Sequence, residues 1–235
     1  MGGPSAEAVV AGSAGAVAAG ALGWLIGPGL SVPMAFVAGA NGAISGWRGI
    51  YAWKRPVGVL AFALDSTWAL PTTAAGLFAH AAAAVRGDPQ YAAALSRRRN
   101  RHVYGRGFQP RRNFAITLGN VVSGAGDVAH ARRAKLVTDH EDVHVWQARW
   151  LGPVYPLAYG TFTALGAAVG AAKWVVARRG RSFAKLVETY AYFCNPLEYW
   201  AYSRDDHWPP TGIAPGAGPR RPIVRSFASL GKPRS

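Results

Sequence analysis

The sequence predicts a mainly α fold with a small β element: an α+β site preceded by glycine-rich apolar helical hairpins. Three observations predict it. Residues 8 to 47 carry no charged side chain, and Gly27-Pro28-Gly29 and Pro33 interrupt them, so the run reads as two helical arms. A second apolar stretch, Val57 to Val85, is interrupted by Asp65 and Pro71. Further on, Leu136, His140, Val143, His144, Gln147 and Leu151 recur at helical spacing behind short runs of strand-forming residues.

The first two arms, Val9 to Leu25 and Met34 to Ile44, are close to membrane-spanning length. Small residues recur at fours, as Gly15, Ala19, Gly23 and Gly27 in one arm and Ala38, Gly42 and Gly46 in the other. That spacing lets two helices approach closely in lipid. Residues 1 to 7 contain Glu7 and no Lys or Arg, so the run does not read as a cleaved signal peptide. Trp47, Arg48, Tyr51, Trp53, Lys54 and Arg55 mix aromatics with cations, as at the cytoplasmic side of a membrane boundary. The stretch from Val57 to Val85 has basic flanks on both sides, which predicts a hairpin bent near Pro71. Asp65-Ser66-Thr67 is expected to cap the helix that follows.

Residues 86 to 112 read as a basic linker with a short helix from Gln90 to Ser96. The chain has 26 Lys and Arg against 11 Asp and Glu, a net charge of +15, which suits nucleic acid or an anionic membrane surface. No nucleic-acid fold motif accompanies the arginines, so the expected partner is anionic lipid headgroups rather than DNA or RNA. His102 to Tyr104 and Phe114 to Val122 read as strands, with Thr117 to Val121 as the edge that could hold an extended peptide. His130 reads as a surface or capping residue. The single cysteine, Cys194, excludes an internal disulfide and a cysteine-based metal site.

His140-Glu141-Asp142-Val143-His144 has the H-E-x-x-H form. On a helix, residues four apart share a face, so His140 and His144 can offer two imidazoles to one zinc ion. Glu141 beside them can act as general base towards a zinc-activated water. A catalytic zinc site needs a third protein ligand. Glu198 in Asn195-Pro196-Leu197-Glu198 is a candidate, although at that position it could instead close a capping box on Asn195. Glu188, His207, Asp205 and Asp206 are the other candidates.

His140-Glu141-x-Val143-His144-Val145-x-Gln147, then Arg149-Trp150-x-Gly152-Pro153-x-Tyr155, then Asn195-Pro196-x-Glu198-x-x-Ala201-Tyr202, resembles a family of bacterial zinc metallopeptidases assigned by this motif. The resemblance covers roughly residues 106 to 202. It implies a zincin-like site with Glu as third ligand: His140, His144 and Glu198 on the metal, and Glu141 as base. The charged Asp142 departs from the usual pattern.

The domain reading that follows has three parts. Residues 1–86 form membrane-embedded hairpins. Residues 87–208 form the zincin-like metal domain, with an apolar helical segment at 154–177. Residues 209–235 form a disordered basic tail. The uncharged segment from Trp150 to Ala172 is expected to be a bent hairpin or a packed arm, because a single crossing would put Glu198 across the membrane from the histidines. The expected function is a membrane-associated, zinc-dependent peptidase acting on a peptide or protein substrate. Tyr155 or Tyr202 would stabilise the oxyanion, and Gln147 would orient a ligand. The alternative is a non-catalytic membrane-interaction protein with a structural or vestigial zinc site.

Overall fold

The structure, a computed structural model, describes residues 4–111, 114–177, 182–205 and 209–218. It is mainly helical with one three-stranded sheet. Two compact units are present, Met1–Tyr155 and Pro156–Ser235.

The first unit opens with α1 (Pro4–Ile26) and α2 (Ser31–Arg48), separated by a short turn at Pro28–Leu30. The break falls where Gly27-Pro28-Gly29 predicts it. Pro33 is accommodated inside the first turn of α2, where a missing N–H leaves no helical bond unmade. The two helices run antiparallel at backbone contact. A Cβ on Gly15 would lie 2.9 Å from the Ala38 carbonyl oxygen, and one on Gly42 would lie 2.4 Å from that of Ala11. Large apolar side chains, among them Val17, Leu25, Val32 and Phe36, point outward. Ser5–Ile26 is long and apolar enough to cross a membrane.

α3 (Pro56–Ser66) and α4 (Leu70–Val85) form a second helical hairpin, which turns at residues 67–69. Pro71 therefore lies just after the bend, in the first turn of α4. Asp65 does not cap α4. That helix begins after Ala69 with no side-chain cap, because α3 continues through Ser66 and a turn separates the two. The Asp65 side chain is buried and paired with Arg149 instead.

A short helix, α5 (Ala93–Ser96), leads into the sheet. Its strands are β1 (His102–Val103), β2 (Ile116–Leu118) and β3 (Val121–Ser123), in the order β1-β3-β2. β1 is parallel to β3, and β2 is antiparallel to it, with Thr117 opposite Val122. The expected single strand from Phe114 to Val122 is thus a hairpin. Gly119 takes a positive φ of 57°, and Gly119-Asn120 makes a two-residue turn. Thr117 lies on the edge strand, while Val121 belongs to the central one.

Side chains alternate across β3. Val121 packs with Ala79 and Ala83 of α4, and Val122 packs with Val103, Val137 and Val145. Val137 and Val145 belong to the helical segment that carries the histidines. It consists of α6 (Ala131–Lys135), a π-helical turn at Leu136–Glu141, and α7 (Asp142–Leu151). The sheet is thus the platform between α4 and the histidine helix.

The second unit contains most of α8 (Val154–Ala177), an unbroken helix rather than a bent hairpin. It is also long and apolar enough to cross a membrane. α9 (Phe183–Glu188), a π-helical turn at Thr189–Phe193 and α10 (Pro196–Arg204) return antiparallel along α8. A Cβ on Gly166 would meet the Tyr190 carbonyl oxygen at 2.1 Å, and one on Gly170 that of Leu186 at 2.8 Å. The return is therefore made by two packed arms, and Gly166 and Gly170 serve close packing rather than bending. Residues 209–218 form turns, and the Ala214 N–H donates to Thr189 Oγ1 at 2.9 Å. Residues 219–235, the rest of the expected tail, lie outside the described residues.

Candidate metal centre

His140 and His144 are both buried, with their Nε2 atoms 3.3 Å apart. His144 Nδ1 donates to Gln147 Oε1 at 2.9 Å. An amide oxygen can only accept, so Nδ1 carries the proton and Nε2 presents its lone pair. Two imidazole nitrogens converging on one point, one of them in a fixed tautomer, suit zinc. A hard cation such as calcium prefers an all-oxygen set.

Glu141 is buried too, and its Oε2 accepts a hydrogen bond from Thr117 Oγ1 at 2.7 Å. The candidate base is thereby fastened to the edge strand. The charge of Asp142, out of place in the motif, is met by Arg101, whose guanidinium is buried beside it.

The motif does not lie on a uniform α-helix. His140 and Glu141 end the π-helical turn, and His144 lies in α7. A π turn holds one extra residue, which rotates the preceding face. The buried residues are accordingly Val137, His140, Glu141, His144, Val145, Gln147, Ala148 and Arg149, and the expected Leu136, Val143 and Leu151 are only half-buried. Such a turn is invisible to a fixed 3.6-residue period.

In the second unit, Asn195 caps α10 as its sequence suggests, accepting from the Leu197 N–H at 3.0 Å. The capping box is not formed, because the Asn195 N–H donates to the Tyr192 carbonyl at 3.0 Å. The Glu198 carboxylate is buried and accepts from Tyr159 Oη at 2.7 Å. Burial, reinforced by the Glu198 charge, pushes the Tyr192 phenol far up.

Among the other candidates, Glu188 pairs with Lys185 at 3.7 Å on the surface. Asp205 is buried at the end of α10. Asp206 and His207 lie outside the described residues. His130 is exposed and pairs with Asp127 at 3.5 Å. The Tyr202 ring packs against Tyr192 and Phe193.

Sequence reasoning missed Thr117, Tyr159 and Arg101 as partners of the candidate residues. Tyr159 carried a signal, as a polar group in the uncharged stretch before Lys173, and Thr117 carried one in the Gly119-Asn120 turn that follows it. Compared with known proteins, the chain matches no family model, no curated protein and no solved structure.

Proposed function

We propose that the chain is a membrane-associated, zinc-dependent peptidase with a zincin-like site, in which His140, His144 and Glu198 hold the metal and Glu141 is the general base. The observation that carries this reading is the buried pair of imidazole nitrogens 3.3 Å apart, with the Glu141 carboxylate next in sequence. Glu198 belongs to the other unit, so its joining the two histidines is the proposal's own step. Support comes from its burial and from the capping box that it does not make.

The chemistry that a zinc ion supplies when bound is Lewis acidity, which polarises a carbonyl and lowers the pKa of water. The chain's residues do the rest. Glu141 takes a proton from water as its oxygen attacks the amide carbon, and gives that proton to the amine as the C–N bond breaks. Thr117 Oγ1 occupies one lone pair of Glu141 Oε2, which aims the carboxylate and leaves its other positions for that proton. β2 is an edge strand, so its outer main-chain groups suit an extended peptide substrate.

Membrane association rests on α1 and α8. At about 1.5 Å per residue each exceeds the roughly 30 Å of a hydrocarbon core. The cations Arg48, Lys54, Arg55 and Arg97 to Arg99 support a site on the cytoplasmic side, where positive residues are preferred.

The test is the zinc content of the detergent-solubilised protein beside His140→Ala and Glu198→Ala. About one zinc per chain in the parent and almost none in either variant is expected. Zinc that survives Glu198→Ala would overturn the ligand set. Glu141→Gln should keep the metal and abolish cleavage of a quenched-fluorophore peptide library. The second reading, a non-catalytic membrane-interaction protein with a structural or vestigial zinc site, is favoured by the outward apolar faces of α1 and α2. It predicts a metal-loaded parent that cleaves none of that library.

A further inference from the structure

We infer that Arg149 is a positioning residue for the two-histidine centre, acting through a buried fork on Asp65 that fixes the histidine helix against the apolar hairpins. The inference rests on the metal reading above.

Arg149 lies on α7, five residues after His144, and its side chain is 1 % exposed, against 2 % for that of Asp65. Nε donates to Asp65 Oδ1 at 2.8 Å, and Nη2 donates to Asp65 Oδ2 at 2.8 Å and to the Asn100 carbonyl. Asp65 Oδ2 also accepts from Tyr51 Oη at 3.0 Å and from Asn120 Nδ2 at 3.4 Å. Asn120 Nδ2 donates to Asn41 Oδ1 at 2.9 Å, and Asn41 Nδ2 donates to Tyr51 Oη at 3.2 Å. One ion pair therefore joins α7 to α3, to α2 through Asn41, and to the β2–β3 turn through Asn120.

A second contact comes from the same loop. Asn100 accepts from Arg149, and its neighbour Arg101 pairs with Asp142, at the other end of α7. Asp142 and Arg149 are seven residues apart, two turns on one side of the helix. Asn100 is itself tightly held. Its φ is 58°, its N–H donates to the Ile50 carbonyl at 2.9 Å, and its Oδ1 accepts from the Ala52 N–H at 2.9 Å.

A buried ion pair is a poor device for stability alone, since apolar residues of similar volume often serve as well. What a two-pronged fork adds is a defined angle and register. The site has need of both. The π-helical turn at Leu136–Glu141 interrupts the regular ladder between His140 and the chain before it, so the imidazole pair depends on how the following helix is held.

The experiment follows cobalt(II) binding to the purified full chain, by its visible d–d absorption and by titration, together with thermal unfolding. The variants are His140→Ala, Arg149→Lys, Asp65→Asn and the apolar double variant Asp65→Leu/Arg149→Met. We expect Arg149→Lys and Asp65→Asn to weaken cobalt affinity about 10- to 100-fold and to alter the absorption envelope. The double variant should recover the parent's unfolding temperature without recovering the parent's affinity or spectrum. An Arg149→Lys variant with the parent's affinity and spectrum overturns the inference. So does a double variant that regains stability and cobalt binding together, because the pair would then be structural only. A parent that binds no cobalt, or binds it equally well as His140→Ala, overturns the metal reading itself and this inference with it.

Discussion

Replacing Gly42 by alanine should destabilise the protein, although alanine is the better helix former. The added Cβ would lie 2.4 Å from the Ala11 carbonyl oxygen, 2.7 Å from its carbonyl carbon and 3.0 Å from the Gly12 nitrogen. All three are backbone atoms, so no side chain can swing aside. α1 and α2 must part locally by more than about half an ångström, in an interface packed like a crystal. Parting also loosens the neighbouring contacts. Those include Gly39, where a Cβ would stand 3.2 Å from that of Ala16, and Gly46, where one would stand 2.4 Å from the Glu7 carbonyl oxygen. Overpacking of this kind costs about 1–3 kcal/mol. Helix propensity returns up to about 1 kcal/mol. The net expectation is a loss of about 1–2 kcal/mol, or roughly 2–8 °C in the unfolding midpoint for a chain of this size. The assay is thermal unfolding followed by circular dichroism, with Gly29→Ala as control, since nothing lies within 4 Å of a Cβ there. A Gly42→Ala variant that melts with the control, or above the parent, would refute the close approach of the two helices.

Three further outcomes follow from the geometry. Gln147→Leu removes the acceptor that fixes His144 Nδ1, and zinc affinity should fall about 10- to 100-fold; an unchanged dissociation constant in a competitive chelator titration would count against that orienting role. Burial, with His80 and two arginines adding repulsion, holds His102 neutral well below its ordinary value of 6.5. The unfolded chain takes up a proton there below about pH 6.5 and the folded chain does not, so the stability His102 contributes is present above that pH. It is lost below it, at up to about 1.4 kcal/mol per pH unit. Urea midpoints between pH 7.5 and 5 should fall less steeply in His102→Gln than in the parent, and equal slopes would exclude a buried neutral histidine. Burial pushes the Cys194 thiol up to about 11. Its thiolate fraction at pH 8 is then about 0.1 %, roughly a hundredth of that of an ordinary thiol, so alkylation by iodoacetamide should be slow until denaturant is added. Labelling of the native protein at the rate of free cysteine would contradict the burial.

Much of the helical framework was legible in the sequence. The uncharged run with its Gly-Pro-Gly break marks α1 and α2, and the small residues at fours mark the faces that touch. His140 and His144 are paired by spacing alone, and Asn195-Pro196 marks the start of α10. Each signal is local: a break, a cap or a period acts on residues within a few positions, where backbone geometry converts sequence distance directly into spatial distance.

The rest required tertiary structure. Asp65 reads as a helix cap from its neighbours Ser66 and Thr67, yet its partner is Arg149, 84 residues away. The inward face of the histidine helix passes through Val137 rather than Leu136, because one π-helical turn shifts the register. Thr117 meets Glu141 only once the Gly119-Asn120 turn folds β2 back to the sheet edge. The Gly119-Asn120 turn has a local signal in its sequence, whereas the Asp65–Arg149 ion pair has none. A charge buried between two elements is held by whatever packing brings to it, and that choice is made by the assembled core rather than by the residues on either side in the chain.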